Sequence, residues 1–332
     1  MTVDALGRLV LAVAILVVPM HVLAQGRSSV PTVGVLAPGP AELRLSAQGR
    51  EAFERGLREL GWIPGQTVRI EYRYAESKPD VLEALARDLA RAGVDVIVAR
   101  ATPAIRAAKQ ATATIPIVMS GAGHDPVHLG FVASLGRPGG NVTGLTLLNQ
   151  DLPAKQLQLL KEVVPRLARV AVLGSRAFAL HPKGRQDLAA AAEALSLQIQ
   201  HVEVADTDDL DEVFGAMARA RVGGLLVRSD PFVLEPNTAR ITALAAKHRL
   251  PAVYWLHTYP EAGGLMSYGA DLFEVHRRSA FFVDRVLRGA RPADLPVEEP
   301  SKLVLVVNLK AARALGLTLP PSVVGRASQV IE

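Results

Sequence analysis

The chain contains no cysteine, which removes disulfide scaffolds, Cys-ligated zinc, iron–sulfur clusters and thiol nucleophiles together. Aromatic residues are scarce, at 5%, so a base-stacking surface, and with it a nucleic-acid partner, is not expected. Like charges never run five in a row. The net charge of +5 is spread along the chain, not gathered into the basic stripe or arm of a nucleic-acid binder. Beyond the first segment, no apolar run approaches the roughly 20 residues of a membrane-crossing helix. Gly-x-Ser-x-Gly, His-Glu-x-x-His, Gly-x-Gly-x-x-Gly and Walker A patterns are missing, and two-thiol racemases need cysteines. Catalysis is therefore not expected, and neither is a cofactor.

What is present begins with an address. Residues 9–18 form an unbroken apolar run behind Arg8, and Val22-Leu23-Ala24 places small residues where a signal peptidase reads. This predicts a signal peptide over residues 1–24, cleaved after Ala24. Asp4 and Arg8 leave together, so the net charge is unchanged. No cysteine stands at the cleavage site to carry a lipid anchor. The expectation is an exported, soluble, periplasmic protein, most simply a monomer.

The 332 residues suit two domains of ordinary size. The rest of the chain alternates strand and helix, twice. Strands are predicted at residues 30–36, 67–72, 94–99 and 115–119, with helices at 47–60, 81–92 and from Thr102-Pro103, threonine serving as N-cap. Gly61 and Gly93 stand where helices end. The second half repeats the order, with strands at 170–173, 198–204, 224–227 and 251–255 and helices at 186–195, 210–220 and 237–248. Residues 95–103 and 223–231 align by eye, as do 109–118 and 245–254. The expected class is α/β, with two Rossmann-like lobes built on parallel sheets. A helix at 272–288, a Pro-rich stretch at 292–300, a strand at 303–307 and a helix at 309–315 follow. Three crossings between the lobes would make a hinge. The expected division is residues 30–146 with 269–297, and 147–268 with 298–332.

Ligands of open parallel sheets bind beyond the carboxyl ends of the strands, where helix N-termini collect. This selects ten candidate ligand-binding residues: Pro38, Arg100, Thr102, His124, Asp125, Ser175, Asp230, Tyr254, Trp255 and Tyr268. Thr102 and Arg100 suit a carboxylate, the arginine in bidentate fashion. Asp230, or Asp125, suits an ammonium. Tyr254, Trp255 and Tyr268 suit stacking on an apolar or aromatic group. His124 and His128 are spaced i, i+4, but Pro126 interrupts any helix between them and no third ligand is evident, so no metal site is expected.

Several motifs carry a resemblance: Gly56-Leu57-Arg58-Glu59-Leu60-Gly61-Trp62, Arg137-Pro138-Gly139-Gly140-Asn141-Val142-Thr143-Gly144, Gly263-Gly264-Leu265-Met266-Ser267-Tyr268-Gly269 and Asn308-Leu309-Lys310. Together they resemble the ABC-transporter substrate-binding proteins of the family that includes tryptophan- and tyrosine-binding members. The resemblance runs from about Val30 to Glu332. It implies a type I periplasmic-binding-protein fold in which two lobes close on a small ligand, an amino acid first of all. The loaded protein would then dock on a membrane permease driven by a separate ATPase subunit. The alternative is a sensor that presents its ligand to a chemoreceptor or kinase; an enzyme built on the same lobes is a weaker rival. The sequence departs from the family pattern at Arg100 and His124, where many members have glycine. It departs again at Gly174-Ser175-Arg176-Ala177-Phe178 and at Trp255-Leu256-His257.

Overall fold

The computed structural model describes residues 30–147, 152–176 and 182–332. The leader expected at residues 1–24, and Ala177 and Phe178, lie outside them. Among the described residues no helix is long and apolar enough to cross a membrane.

Two sheets organise the chain. The first contains β1 (Thr32–Ala37), β2 (Arg69–Tyr74), β3 (Val96–Arg100), β4 (Ile117–Ala122) and β5 (Val142–Thr146), all parallel, in the order β2-β1-β3-β4-β5. The second contains β6 (Arg169–Ser175), β7 (Gln198–Val204), β8 (Gly224–Val227), β9 (Ala252–Tyr254), β10 (Met266–Ala270), β11 (Leu303–Asn308) and β12 (Gln329–Ile331). Its order is β12-β11-β10-β9-β8-β6-β7, and only the β10–β11 pair is antiparallel. The α/β class and the pair of Rossmann-like sheets expected from the sequence are both present.

Strand alternation sorts side chains onto opposite faces. In the first sheet Val33, Val35, Val96 and Val98 face α1 (Arg44–Glu59) and α9 (Leu272–Leu287), where they meet Phe53, Leu57, Val275 and Phe282. Leu36, Ile97 and Ala99 face α2 (Leu82–Arg91) and α3 (Ala101–Ala111). In the second sheet Val170, Val172, Leu226 and Val253 face α4 (Leu152–Val163) and α5 (Pro182–Ala194). Ala171, Leu173, Leu225 and Val227 face α6 (Leu210–Arg219) and α7 (Thr238–Lys247).

The predicted elements recur within a few residues. Gly61 stops α1 with φ +88° and Gly93 follows α2 with φ +69°. One start differs: α3 begins at Ala101, whose φ is +59°, and Thr102 sits inside the first turn without capping it. The sequence reading passed over β5, α4, β10 and β12, along with short helices α8 (Thr258–Glu261) and α11 (Pro321–Val324).

The chain changes sheet three times. After β5 it next enters α4, which packs on β8, β9 and β10. After β10 it delivers α9 to the first sheet, against β3, β4 and β5. It then returns past Glu298 to β11. On that return Glu298 N–H donates to Gly144 O (2.9 Å) and Thr146 N–H to Glu298 O (3.0 Å). The Arg278 guanidinium grips the Glu298 carboxylate with Nε and Nη2, at 2.9 and 2.8 Å.

Helix α9 lies unusually close to α1. A Cβ on Gly56 would stand 2.3 Å from Arg277 O, and one on Gly49 would stand 2.8 Å from the His276 ring. Trp62 Nε1 donates to Asp284 Oδ1 (2.9 Å), and Arg277 bridges Glu59 (2.5 Å) and Glu274 across the seam. Because the Gly56 contact is with backbone, it cannot be relieved by a rotamer change. Gly56→Ala is expected to lower stability by about 1–3 kcal/mol, as overpacking does. The check is the urea midpoint; an unchanged midpoint would show that the helices can separate freely.

Candidate functional site

The carboxyl ends of both sheets meet at one cavity, with about 630 Å³ of empty space including its mouth. The first sheet contributes Ala37, Pro38 and Gly39 after β1, Arg100 and Ala101 after β3, and Ser120, Gly121 and Gly123 at the end of β4. The second contributes Ser229, Pro231 and Glu235 after β8, and Trp255 after β9. Leu43, Leu45 and Ser46 of the α1 segment, Leu147 after β5, and Leu272 and His276 of α9 complete the wall.

Arg100 ends a strand that is buried along its whole length, and its side chain is 6% exposed. Its Nε and Nη2 are shut off from solvent with no hydrogen-bond partner. Gly49 is what makes room for it: a Cβ there would be 3.2 Å from Nη1. Burial pulls the guanidinium below its ordinary pKa, opposed only in part by Tyr72, Tyr74 and the Glu54 carboxylate, none of which is hydrogen-bonded to Nε or Nη2. A buried cation lacking a paired anion is costly, and an anionic ligand would relieve that cost.

His276 stands beside Arg100. Burial first, and the Arg100 charge second, hold its pKa well below the usual imidazole value, so it is neutral at neutral pH. Its Nδ1 is hydrogen-bonded to Ser120 Oγ at 2.7 Å, and Ser279 Oγ donates to its backbone carbonyl at 2.6 Å. The ring thus adds a polar group to the cavity without adding a second cation.

Glu235 is on the opposite side of the chain's path, in the loop between β8 and α7. Its carboxylate accepts a hydrogen bond from Ser229 Oγ at 3.4 Å. Burial, reinforced by the neighbouring Asp230 charge, pushes its pKa up to about 8. Trp255 presents an indole whose Nε1 is buried without a partner.

The residues selected from the sequence divide into two groups. Pro38, Arg100 and Trp255 line the cavity. Thr102, His124, Asp125, Ser175, Asp230, Tyr254 and Tyr268 are not among the lining residues, and each has a physical reason. Thr102 Oγ1 accepts from Gly123 N–H (3.1 Å) and lies 3.3 Å from His124 Nδ1, tying the end of β4 to α3. Asp125 Oδ1 accepts the Val127 and His128 N–H groups at 2.9 and 3.2 Å and braces its own turn. Asp230 is fully buried. One of its oxygens takes the N–H groups of Phe232, Val233 and Leu234 at 3.1, 2.6 and 3.0 Å, and the other takes the Ser175 hydroxyl. Tyr254 lies flat on Tyr259, centroids 4.6 Å apart, in the core of the second sheet. Tyr268 shares the alternation of Met266 and faces the α4 side, where it lines a separate depression with Lys155 and Gln158.

Sequence reasoning missed Glu235 and His276. Glu235 stands five residues past the Asp-Pro signal that drew attention to Asp230, and His276 is on a helix expected only to pack. The i, i+4 histidine pair is not part of the cavity, and among the described residues no group of three or more potential metal ligands gathers.

The family model described as ABC transporter substrate binding protein matches residues 41–331. A curated relative, the tyrosine-binding protein of Clostridioides difficile (strain R20291), is 23% identical over 271 residues, 81% of this chain and 77% of its own. A crystal structure of an ABC domain in complex with L-Trp, from Streptococcus pneumonia, is 27% identical with a TM-score of 0.84, covering 91% of this chain and all of that one. A ligand-free, open substrate binding protein with adhesive properties from Clostridium difficile has a TM-score of 0.67 at 22% identity, covering 91% and 99% of the two chains.

The raised Glu235 pKa has a consequence for stability. Between the ordinary carboxyl pKa and about 8, the folded protein holds a proton that the unfolded chain has lost. Stability from this group therefore falls as pH rises through that window and levels off above it. Glu235→Gln removes the dependence. Urea titrations are expected to show the variant more stable than the parent at pH 8 and the two converging toward pH 4; parallel profiles would contradict the burial of this carboxyl.

Proposed function

The chain belongs to the ABC transporter substrate-binding protein family, and from that premise we propose that it is the extracytoplasmic binding component of an importer for an amino acid, aromatic or branched in side chain. The observation that carries the reading is the buried Arg100 guanidinium, its Nε and Nη2 unpaired, in the wall of a cavity bounded by the strand ends of both sheets. A ligand carboxylate supplies what that group lacks. The apolar surfaces of Leu43, Leu45, Leu147, Leu272 and Trp255 suit a hydrophobic side chain. The tyrosine and tryptophan in the names of the relatives are of the same chemical kind.

In this reading residues 30–146 with 269–297 form one lobe and 147–268 with 298–332 the other. Ligand touching Arg100 on one lobe and Trp255 on the other stabilises the closed arrangement over the open one, a shift in population between two states. The closed form is what a membrane permease with its ATPase subunit would recognise. Export to the periplasm after cleavage at Ala24 and action as a monomer belong to the same proposal. The protein would reach the membrane only through the permease and would catalyse nothing itself.

A thermal-shift screen of the amino acids, followed by calorimetry on the strongest hit, tests it. Ligand at about 100 times its Kd stabilises by about 2.7 kcal/mol, a shift of several degrees. Arg100→Ala is expected to cost at least about 2 kcal/mol of binding, roughly thirtyfold in Kd. Small-angle scattering should register compaction on loading. Full affinity in Arg100→Ala would place the ligand elsewhere.

A further inference from the structure

Among the described residues the cavity wall contains one permanent cation and one carboxyl. The cation, Arg100, ends a strand of the first sheet, and the carboxyl, Glu235, follows a strand of the second. Among the described residues they form no ion pair with each other. The Glu235 carboxyl is hydrogen-bonded by the Ser229 hydroxyl and by the Asp230 backbone N–H, both uncharged donors that leave it without a counter-charge.

The other acids that could serve are committed. Both oxygens of Asp230 are taken by three backbone N–H groups and Ser175, and Asp125 is spent on its own turn. Asp271 and Glu274 line a different depression, next to Arg278 and Glu298.

We propose that Glu235 is the specificity-determining residue that receives the ligand's ammonium group, opposite Arg100 at its carboxylate, so that the cavity selects a zwitterion and rejects the same acid without its amine. This rests on the reading of the cavity as the ligand site and adds which group on the second sheet reads the amine. A plain carboxylic acid satisfies Arg100 only. An amino acid satisfies both ends, and each end lies on a different sheet, so the amine itself helps hold the two together. Free Glu235 carries a proton at neutral pH because burial raises its pKa to about 8. An arriving ammonium displaces that proton to solvent and takes its place as the counter-charge. The groups acting on this carboxyl are Asp230 and Ser229 on its own loop and Tyr259 of α8, itself held protonated by burial. Arg100 and His276 face the same cavity from the first sheet's side.

The test pairs each amino acid with its α-hydroxy acid: L-tryptophan with indole-3-lactate, L-tyrosine with 4-hydroxyphenyllactate, and L-leucine with 2-hydroxyisocaproate. Binding is measured on the full mature chain by calorimetry, in phosphate and in Tris at pH 7. The wild type is expected to prefer the amino member by about tenfold or more and to release close to one proton on binding it. In Glu235→Gln the preference should shrink to within about threefold and the proton release should disappear, while the hydroxy acid binds as before. Glu235→Asp, which keeps the charge, should retain part of the preference and guards against a fold defect in the first variant. An amino preference that survives Glu235→Gln, or equal binding of the two members by the wild type, overturns the assignment while leaving the ligand site intact. Failure of all six compounds to bind would instead sink the amino-acid reading itself, and the role of Glu235 with it.

Discussion

The close approach of α9 to α1 is the constraint on which the site depends. Helix α9 is the stretch of chain that leaves the second sheet and packs on the first, and it can settle there only because Gly56 presents no Cβ to Arg277 O and Gly49 none to His276. That contact fixes the position of His276 beside Ser120 and completes the pocket in which Arg100 is buried. The same seam anchors one of the three connections between the sheets, with the Arg278–Glu298 fork holding the next. A helix displaced outward by a methyl group would loosen the cavity floor and the strap together. Packing between two helices and the placement of a buried charge are thus one problem in this fold, and two glycines seven residues apart solve it.

The electrostatics of the cavity follow from what burial does to each group. Arg100 cannot give up its proton, so it stays charged and underpaired. His276 can, and burial next to Arg100 makes it neutral. Glu235 answers burial in the opposite direction and stays protonated. The free site is therefore left with an excess of one positive charge, although its residue list looks balanced. Such a site favours anions, and it becomes balanced at the second sheet only when a cation arrives to replace the Glu235 proton.

Much of this was legible in the sequence, for reasons that differ from element to element. Continuous apolar runs such as residues 224–227 leave a buried strand as the only economical reading, and Gly61 and Gly93 mark helix ends because their left-handed φ excludes most other residues. Arg100 and Trp255 reach the cavity wall because they stand at strand ends, where parallel sheets gather their clefts. That rule places backbone, not side chains. It could not say that strand alternation turns Tyr268 toward α4, or that Tyr254 lies on Tyr259. Nor could it separate Asp230, whose oxygens saturate on a local turn, from Glu235 five residues later, which lines the cavity. Carboxylates in Asp-Pro turns commonly cap their own loops, and here Asp230 does so while Glu235 lines the cavity.

Of the described non-glycine residues with positive φ, Ala101 is the one at the cavity wall. A non-glycine residue with φ +59° at the cavity wall is disfavoured by about 1–2 kcal/mol. The neighbouring contacts explain how it is held: Arg100 before it is locked between α1 and α9, and Thr102 after it is tied to Gly123 by a hydrogen bond of 3.1 Å. The left-handed turn between them redirects the chain from strand to helix within a single residue. It thereby keeps Arg100 at the cavity wall while Thr102 goes to brace β4. The residue that suits a carboxylate and the residue that secures the scaffold are adjacent in sequence, and the strained peptide between them is what lets both be satisfied.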